Sequence, residues 1–206
     1  PDRLASIDAQ MRRLGIPYER FAAIDGNLKP HIDGFNAYQR LPLVACPEGV
    51  RKLTRSKDFY QNYDSHVARI AYMEGQLKAK AIRTPGAWGY LKSYIAILEK
   101  ALAAGHESFL ILDDDAVFHR DFDAVFAAAA TELPEDWAIF QLGALQYDWG
   151  DQWISKYSEH LYMCNGSSVG SHATGIRCSV APALLHEAQR FDLPLDVGAL
   201  CRVKRS

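Results

Sequence analysis

A run of apolar residues, Phe109–Leu112, ends abruptly in three consecutive carboxylates, Asp113, Asp114 and Asp115. Short apolar runs bounded by polar residues are typical of buried strands, so we expect the acids at the carboxyl end of a strand. Three adjacent negative charges repel one another, and a bound divalent cation would remove that cost. Because hard oxygen ligands suit Mg²⁺ or Mn²⁺, the triplet predicts a metal site, with an acidic turn after a core strand as the plainer alternative.

Length and composition narrow the class of protein. A chain of 206 residues can bury a substantial core, and we expect a single domain over residues 1–206. A net charge of -2 gives no electrostatic reason to expect a nucleic-acid partner. The four cysteines form no C-x-x-C pair, so we expect reduced thiols in a cytoplasmic protein. No apolar run is long enough to span a membrane, and peripheral contact with a membrane surface stays open.

Helical patterns alternate with short apolar runs through the first two thirds of the chain, which predicts an α/β layer fold. The clearest helix begins at Thr84-Pro85, since Thr is a good N-cap and Pro suits the first helical position. Gly105 ends this helix, and its apolar stripe consists of Leu91, Ile95, Leu98 and Leu102.

The remaining elements follow from the same patterns. Further helices are predicted over residues 3–14, 65–82, 121–134 and 182–189. Strands are predicted over residues 18–24, 109–112, 137–142, 161–164 and 173–178. Residues 27–66 contain several prolines and glycines and are predicted to be irregular, but the stretch is long for a structureless loop, so it is either functional or partly ordered by short elements.

Four blocks of residues, taken in order, resemble glycosyltransferase family 25. That family includes bacterial lipopolysaccharide and lipooligosaccharide glycosyltransferases and relatives of collagen galactosyltransferases. The blocks are Pro1-Asp2-Arg3 with Leu14-Gly15-Ile16 and Phe21–Gly26; Thr84–Ser93; Leu110–Asp115; and Leu193-Pro194-Leu195-Asp196.

The resemblance implies a GT-A-like nucleotide-sugar-binding domain, with a central mixed, mostly parallel sheet flanked by helices. It also implies transfer of a sugar, often galactose, from a UDP-sugar to a glycan or glycoprotein acceptor, with inversion at the anomeric carbon. Strand-end acids would hold Mn²⁺ or Mg²⁺ on the diphosphate. A role in lipopolysaccharide biosynthesis would place the protein in the cytoplasm, at the inner face of the bacterial membrane.

The chain departs from the family pattern at three places. The family usually has Glu where this chain has Asp113, which keeps the charge. It usually has His after Ser93, where this chain has Tyr94, so a polar role at that position is in doubt. The opening strand that usually precedes the Arg3 segment is missing from the sequence as given, and we expect truncation or disorder to account for that.

The acidic candidates divide by role. Asp113 and Asp115 are predicted metal ligands, because residues two apart on a strand face the same side. Asp114 is expected to meet hydroxyl groups of the ribose or the donor sugar, or to be a simple turn residue. Asp196 is the first candidate for the general base, since the resemblance places it in the family's late acidic motif. Reserve candidates are Asp148 and Asp151, in the aromatic segment 147–153.

The donor-binding candidates come mainly from the resemblance. Arg3 would pair with the diphosphate, because a guanidinium matches phosphate geometry. Asp25-Gly26 would border the nucleotide, and Ser93 would contribute from its helix. His172 would complete the metal shell or touch the donor. For each of these residues an ordinary turn, surface or structural role is the alternative.

Two other functions are compatible with the aspartate triplet. An apolar strand followed by Asp-x-Asp-x-Val also fits a haloacid-dehalogenase-type phosphohydrolase, with Asp113 as nucleophile and Asp115 as acid/base. That motif normally opens its fold, whereas here it follows half of the chain. The second alternative is a degenerate homologue that binds a sugar nucleotide without turning it over, which Tyr94 and the missing first strand would explain.

Overall fold

The computed structural model describes residues 2–41, 80–146, 149, 154–164 and 168–204. Within this part of the chain the helices are α1 (Arg3–Leu14), α2 (His31–Arg40), α3 (Pro85–Ala104), α4 (Phe122–Glu132) and α5 (Ala181–Ala188), then a π-helix (Asp196–Leu200) that continues into a helical turn, α6 (Cys201–Val203). The strands are β1 (Ser108–Leu112), β2 (Ile139–Gln146), β3 (Ile154–Lys156), β4 (Tyr162–Cys164) and β5 (Ser168–Arg177). The mixed α/β class is therefore confirmed.

The capping residues explain where the two clearest helices begin and end. The Thr84 side chain accepts a hydrogen bond from the Ala87 N–H, and Pro85 is the first residue of α3. Gly105 follows α3 in the left-handed conformation, at φ 69°. Gly15 ends α1 in the same way, at φ 63°. Both predicted helices are confirmed at these boundaries.

The main sheet differs from the predicted one. Its strand order is β1-β5-β2, and β5 pairs antiparallel with both neighbours. The smaller sheet, β3 with β4, is also antiparallel. The prediction of a mostly parallel sheet is therefore wrong for the described strands. The alternation of helices and strands does not fix pairing direction, because β5 inserts from late in the chain between β1 and β2.

The other predicted elements are mostly present. The predicted helices over residues 121–134 and 182–189 correspond to α4 and α5, and the strands over 109–112 and 137–142 to β1 and β2. The prediction over 161–164 corresponds to β4, and that over 173–178 to the longer β5. The helix predicted over residues 65–82 lies outside the described residues except for its end, 80–82, which is not helical.

One prediction before α3 is wrong, and one alternative left open there is decided. The strand over Tyr18–Ile24 is absent, because the Ile24 N–H donates to Ser93 Oγ at 2.8 Å instead of to a strand partner. Residues 31–40 form α2, so the stretch without a clear pattern is partly ordered. Phe35 and Tyr38 pack their rings against Trp88 of α3, with centroids 6.3 Å and 5.1 Å from the indole. Contact with α3 therefore stabilises a helix whose own sequence signal is weak.

The principal core lies between α3, α5, the π-helix and one face of the main sheet. Its most deeply buried members include Leu91, Leu98, Ile176, Leu184 and Leu200. This packing holds α3 against β1 and β5, so the side chains near its start are fixed relative to the strand ends. No described helix is both long and apolar enough to cross a membrane.

Candidate functional site

The aspartate triplet lies at the carboxyl end of β1, as predicted. Asp113 extends the pairing with β5 by one residue, because its N–H donates to the His172 carbonyl oxygen at 2.8 Å. The chain then turns, and the Ala116 N–H donates to the Asp113 carbonyl oxygen at 3.1 Å. Strand alternation therefore does not decide which way Asp115 points, although the sequence prediction relied on it.

A hydrogen-bonded group of three side chains forms around the Asp113 carboxylate. The Tyr90 hydroxyl donates to both carboxylate oxygens, at 3.2 Å to Oδ1 and 3.3 Å to Oδ2. The Tyr90 hydroxyl oxygen also lies 2.7 Å from Ser171 Oγ. Tyr90 is on α3, Ser171 is a buried residue of β5 and Asp113 follows β1. Three elements therefore meet at one hydroxyl group.

Asp113 is the acid whose ionisation the surroundings disfavour. Burial raises its pKa above 3.8, and the nearby charges of Asp115 and Asp114 act in the same direction. The hydrogen bond from Tyr90 and the proximity of His172 lower the pKa, but they do not cancel the effect of burial. A half-buried carboxylate with acidic neighbours is an electrostatic cost that a bound cation would relieve.

The two outer acids face a different partner. Arg3, in the first turn of α1, places its Nη1 3.2 Å from Asp115 Oδ2 and 3.5 Å from Asp114 Oδ1. All three side chains are more than half exposed, at 65% for Arg3, 61% for Asp114 and 52% for Asp115. Arg3, which the resemblance assigns to the diphosphate, therefore lies beside the predicted metal ligand Asp115. The role of Asp114, in binding hydroxyl groups or as a simple turn residue, stays a prediction.

Asp196 opens the π-helix and is held by two backbone groups. Its Oδ1 accepts from the Val197 N–H at 3.0 Å, and its Oδ2 accepts from the Gly170 N–H at 3.2 Å. Burial raises the pKa of Tyr90, and the charges of Asp113 and Asp196 raise it further. Asp113 and Asp196, distant in sequence, therefore both lie within electrostatic reach of the Tyr90 hydroxyl.

The segment containing Asp25 and Gly26 packs on the start of α3. A Cβ at residue 26 would overlap the Pro85 carbonyl oxygen, and one at Gly89 would overlap the Ile24 carbonyl oxygen, so both close approaches require glycine. The Asp25 carboxylate accepts from the Asn27 N–H at 2.9 Å, and this bond lowers the pKa of Asp25.

Ser93 is buried, and its hydroxyl is used within the protein. It donates to the Gly89 carbonyl oxygen at 2.8 Å and accepts from the Ile24 N–H at 2.8 Å. The structure therefore gives Ser93 the role of fixing the segment before Asp25 to α3. A direct contact with the donor stays a prediction.

His172 lies beside the site on β5. Its ring occupies space left by the missing side chains of Gly143 and Gly170, since a Cβ at Gly143 would overlap the ring and one at Gly170 would lie 3.2 Å from Nδ1. Its proximity lowers the pKa of Asp113, so the two groups interact electrostatically. The reserve acids, Asp148 and Asp151, lie outside the described residues.

Tyr94 is a core residue one turn beyond Tyr90 on α3. Only 2% of it is exposed, and its ring centroid lies 6.4 Å from that of Tyr90. Within the described part of the chain its hydroxyl makes no hydrogen bond of good geometry, although the nearby Thr174 lowers its pKa against the larger effect of burial. The expected loss of a polar role at this position agrees with its place in the core.

The donor chemistry of the triplet fits a hard divalent cation. Asp113 and Asp115 offer carboxylate oxygens, the ligand type that Mg²⁺ and Mn²⁺ prefer. One further group of potential metal ligands among the described residues comprises Glu132, Glu159 and His160, whose ligand atoms lie within 4.8 Å of one another. Hydrogen bonds from Ser158 and His160 already engage Glu132 and lower its pKa to about 2. That group ties α4 to the segment between β3 and β4.

Sequence reasoning misses Tyr90 and Ser171. Tyr90 stands beside the apolar stripe of α3 and not on it, and a polar aromatic residue in that position was an available signal. Ser171 gives no signal of its own in the sequence. Its contact with Tyr90 depends on the pairing of β5 with β1, which brings Ala173 opposite Leu112.

The comparisons with known proteins bear on this arrangement. A sequence model described as "Glycosyltransferase family 25 (LPS biosynthesis protein)" matches residues 1–178. A search of curated proteins gave no match. The matched range contains the triplet, Arg3, Tyr90 and Ser171, whereas Asp196 lies beyond it. Because the match covers most of the sequence and confirms the resemblance, this chain belongs to glycosyltransferase family 25.

Proposed function

We propose that the protein transfers a sugar from a UDP-sugar to a glycan or glycoprotein acceptor, with inversion at the anomeric carbon and with Mn²⁺ or Mg²⁺ bound. The proposed sugar is galactose. Membership of the family supports a glycosyltransferase in general. The donor, the acceptor, the metal and the stereochemistry are the proposed parts, as is a GT-A-like nucleotide-binding domain. Action in the cytoplasm at the inner face of a bacterial membrane completes the proposal.

One observation carries the proposal. The N–H of Asp113, the proposed inner metal ligand, donates to the His172 carbonyl oxygen, and the carboxylate of Asp196, the proposed base, accepts from the Gly170 N–H, so both acids are hydrogen-bonded to the same short stretch of β5. Transfer from a nucleotide-sugar needs stabilisation of the leaving diphosphate and activation of the acceptor hydroxyl next to each other. A pair of carboxylates contributed by the end of β1 and the start of the π-helix would meet that requirement.

The aspartate triplet at the end of β1, together with Arg3, would stabilise the leaving group. Asp113 and Asp115 would hold the divalent cation, which would supply Lewis-acid stabilisation of the charge on the departing diphosphate. Arg3, exposed and already beside Asp115 at 3.2 Å, would exchange this contact for a phosphate oxygen. Asp114 would accept hydrogen bonds from ribose or sugar hydroxyl groups.

Asp196 would serve the acceptor. Its two hydrogen bonds, from Val197 and Gly170, orient the carboxylate and leave each oxygen a free lone pair. The carboxylate would take the proton of the acceptor hydroxyl while that oxygen attacks the anomeric carbon and the bond from that carbon to the diphosphate oxygen breaks. UDP then leaves, and attack from the face opposite to it inverts the configuration.

Of the alternatives, the phosphohydrolase gains no support, because the family match is to a glycosyltransferase family. A degenerate homologue that binds a sugar nucleotide without turnover remains the rival proposal. Hydrolysis of UDP-galactose and other UDP-sugars in the presence of Mn²⁺ separates the cases, with Asp115→Ala as the test variant and the exposed Asp123→Ala of α4 as its control.

We expect metal-dependent release of UDP by the natural protein and by Asp123→Ala, and loss of release in Asp115→Ala. Binding of a UDP-sugar without release of UDP would instead support the degenerate homologue. Release of phosphate from a generic phosphomonoester would contradict both.

A further inference from the structure

We propose that Tyr90 is a positioning residue that fixes the Asp113 carboxylate for the metal ion, through a chain of hydrogen bonds that begins at Ser171. This inference rests on the proposed metal-dependent transfer and adds a residue outside the acidic motif to it. Groups that orient a metal ligand in this way decide how well the ligand is aligned before the ion arrives.

The geometry of the hydroxyl group defines the chain. Tyr90 lies nearly equally far from the two carboxylate oxygens of Asp113, at 3.2 Å and 3.3 Å, so its proton is shared between them. A tyrosine has one hydroxyl proton. With that proton directed at the ionised Asp113, Ser171 Oγ must be the donor in its 2.7 Å bond to the Tyr90 oxygen. Ser171 thus holds Tyr90, and Tyr90 holds Asp113.

The anchoring of α3 makes this contact rigid. Tyr90 lies between Gly89, which packs directly on the backbone of Ile24, and Leu91, which is 1% exposed in the core. Three residues on, Ser93 ties the same turn of helix to the Ile24 N–H. Tyr90 is therefore fixed from both sides, and its hydroxyl has little freedom to leave Asp113.

Tyr94 provides a matched control one turn away. It is on the same helix and is more deeply buried than Tyr90. It also lies close enough to Asp113 for the carboxylate charge to raise the pKa of Tyr94. The described structure shows no hydrogen bond of good geometry from its hydroxyl, and none to Asp113. Replacing either tyrosine by phenylalanine removes one oxygen atom, but only Tyr90→Phe removes support from Asp113.

The test is calorimetric titration of Mn²⁺ in the presence of UDP, with the natural chain, Tyr90→Phe, Tyr94→Phe, Ser171→Ala and the double variant of Tyr90→Phe with Ser171→Ala. We expect Tyr90→Phe to weaken Mn²⁺ binding by about 10–100-fold, the usual effect of removing a group that orients a metal ligand. Tyr94→Phe should leave binding unchanged. Ser171→Ala should weaken it by less than about tenfold, and the double variant Tyr90→Phe with Ser171→Ala should bind Mn²⁺ no more weakly than Tyr90→Phe alone, because both groups act through one chain of hydrogen bonds.

The possible outcomes are distinguishable. If the natural chain binds Mn²⁺ and Tyr90→Phe binds it equally well, the inference is wrong while the proposed function stands. If the natural chain binds no Mn²⁺ in the presence of UDP, the metal-dependent function fails, and the inference fails with it. Circular dichroism reports whether Tyr90→Phe folds. If it does not, Ser171→Ala decides, and unchanged Mn²⁺ affinity in that variant overturns the inference.

Discussion

The inner and outer acids of one triplet lie in different environments. Asp113 is half-buried, receives the Tyr90 hydroxyl and has a raised pKa, whereas Asp114 and Asp115 are exposed and share Arg3. The residue type is the same and the positions are adjacent, so the difference arises from the packing of α3 and β5 on one side and of α1 on the other. The inner acid is held in place, and the outer acids are free to change partners.

This difference suggests a division of labour. A fixed carboxylate aligned by a neighbouring hydroxyl loses little freedom when it binds an ion. An exposed ion pair contributes only about 0–1 kcal/mol to stability, so Arg3 can exchange its carboxylate partners for a phosphate at small cost. The rigid side, Asp113 with Tyr90, would set the position of the metal. The exchangeable side, Arg3 with Asp114 and Asp115, would admit the diphosphate.

The largest expected effect separates the inner acid from its exposed neighbour. Asp113→Asn should lower metal-dependent UDP release by more than about 100-fold, since groups that only support a ligand already cost about 10–100-fold. Asp114→Asn should lower it by about tenfold or less, because its proposed partners are sugar hydroxyl groups. Steady-state kinetics with saturating Mn²⁺ measures both.

The contrast fails if the two variants lose activity equally. In Asp113→Asn the oxygen of the new side-chain amide can still accept from Tyr90, so the fold should survive, and a thermal melt checks this. Loss of folding in Asp113→Asn would make its kinetics uninformative and would contradict the view that this carboxylate is an electrostatic cost.

A smaller effect is expected on the exchangeable side. Arg3→Gln should raise KM for the UDP-sugar several-fold with little change in stability, because an exposed arginine contributes mainly through its charge. The advantage of the natural chain over Arg3→Gln should shrink as ionic strength rises. Arg12→Gln is the matched control, since Arg12 is on the same helix and pairs with Asp8 instead of the triplet. Equal KM values for the natural chain and Arg3→Gln would remove Arg3 from the donor site.

The smallest effect concerns stability and pH in the metal-free protein. Because the pKa of Asp113 is raised above 3.8 on folding, the folded state binds its proton more tightly than the unfolded state. The contribution of Asp113 to stability therefore falls as pH rises from about 3.8 to the raised pKa. The full cost of burying the charged carboxylate is present above the raised pKa. Glu132 acts in the opposite direction, since its pKa is lowered from 4.5 to about 2 and its contribution is lost as pH falls.

Comparison with Asp113→Asn isolates the inner acid, because Glu132 is common to both proteins. The melting temperature of the variant relative to the natural chain should rise as the pH increases from about 4 and should level off above the raised pKa of Asp113. A difference that stays flat over this range would show that burial does not disfavour the Asp113 charge.

Local signals in the sequence predict a large part of this fold. Thr84, Pro85 and Gly105 fix the ends of α3 through capping, which acts within one turn. The apolar run before Asp113 identifies β1 in the same way. The direction of strand pairing is not local, however, and the insertion of β5 between β1 and β2 overturns the predicted parallel sheet.

The candidate site shows the same limit. The triplet is visible in the sequence, and Asp196 is a candidate only through the resemblance. The contacts of the Tyr90 hydroxyl are not visible in the sequence, because Tyr90 meets Asp113 and Ser171 only when α3 packs on the main sheet. Helix α2 could not be identified from the sequence for the same reason. Phe35 and Tyr38 stabilise it by packing against Trp88, which lies far along the chain.

The most direct test is a crystal structure of the protein with Mn²⁺ and UDP, with the anomalous signal of manganese used to locate the ion. We expect manganese bound by carboxylate oxygens of Asp113 and Asp115 and by the diphosphate of UDP, with Tyr90 still hydrogen-bonded to Asp113. Manganese at Glu132, Glu159 and His160 with none at the end of β1, or UDP bound away from the triplet, would contradict it.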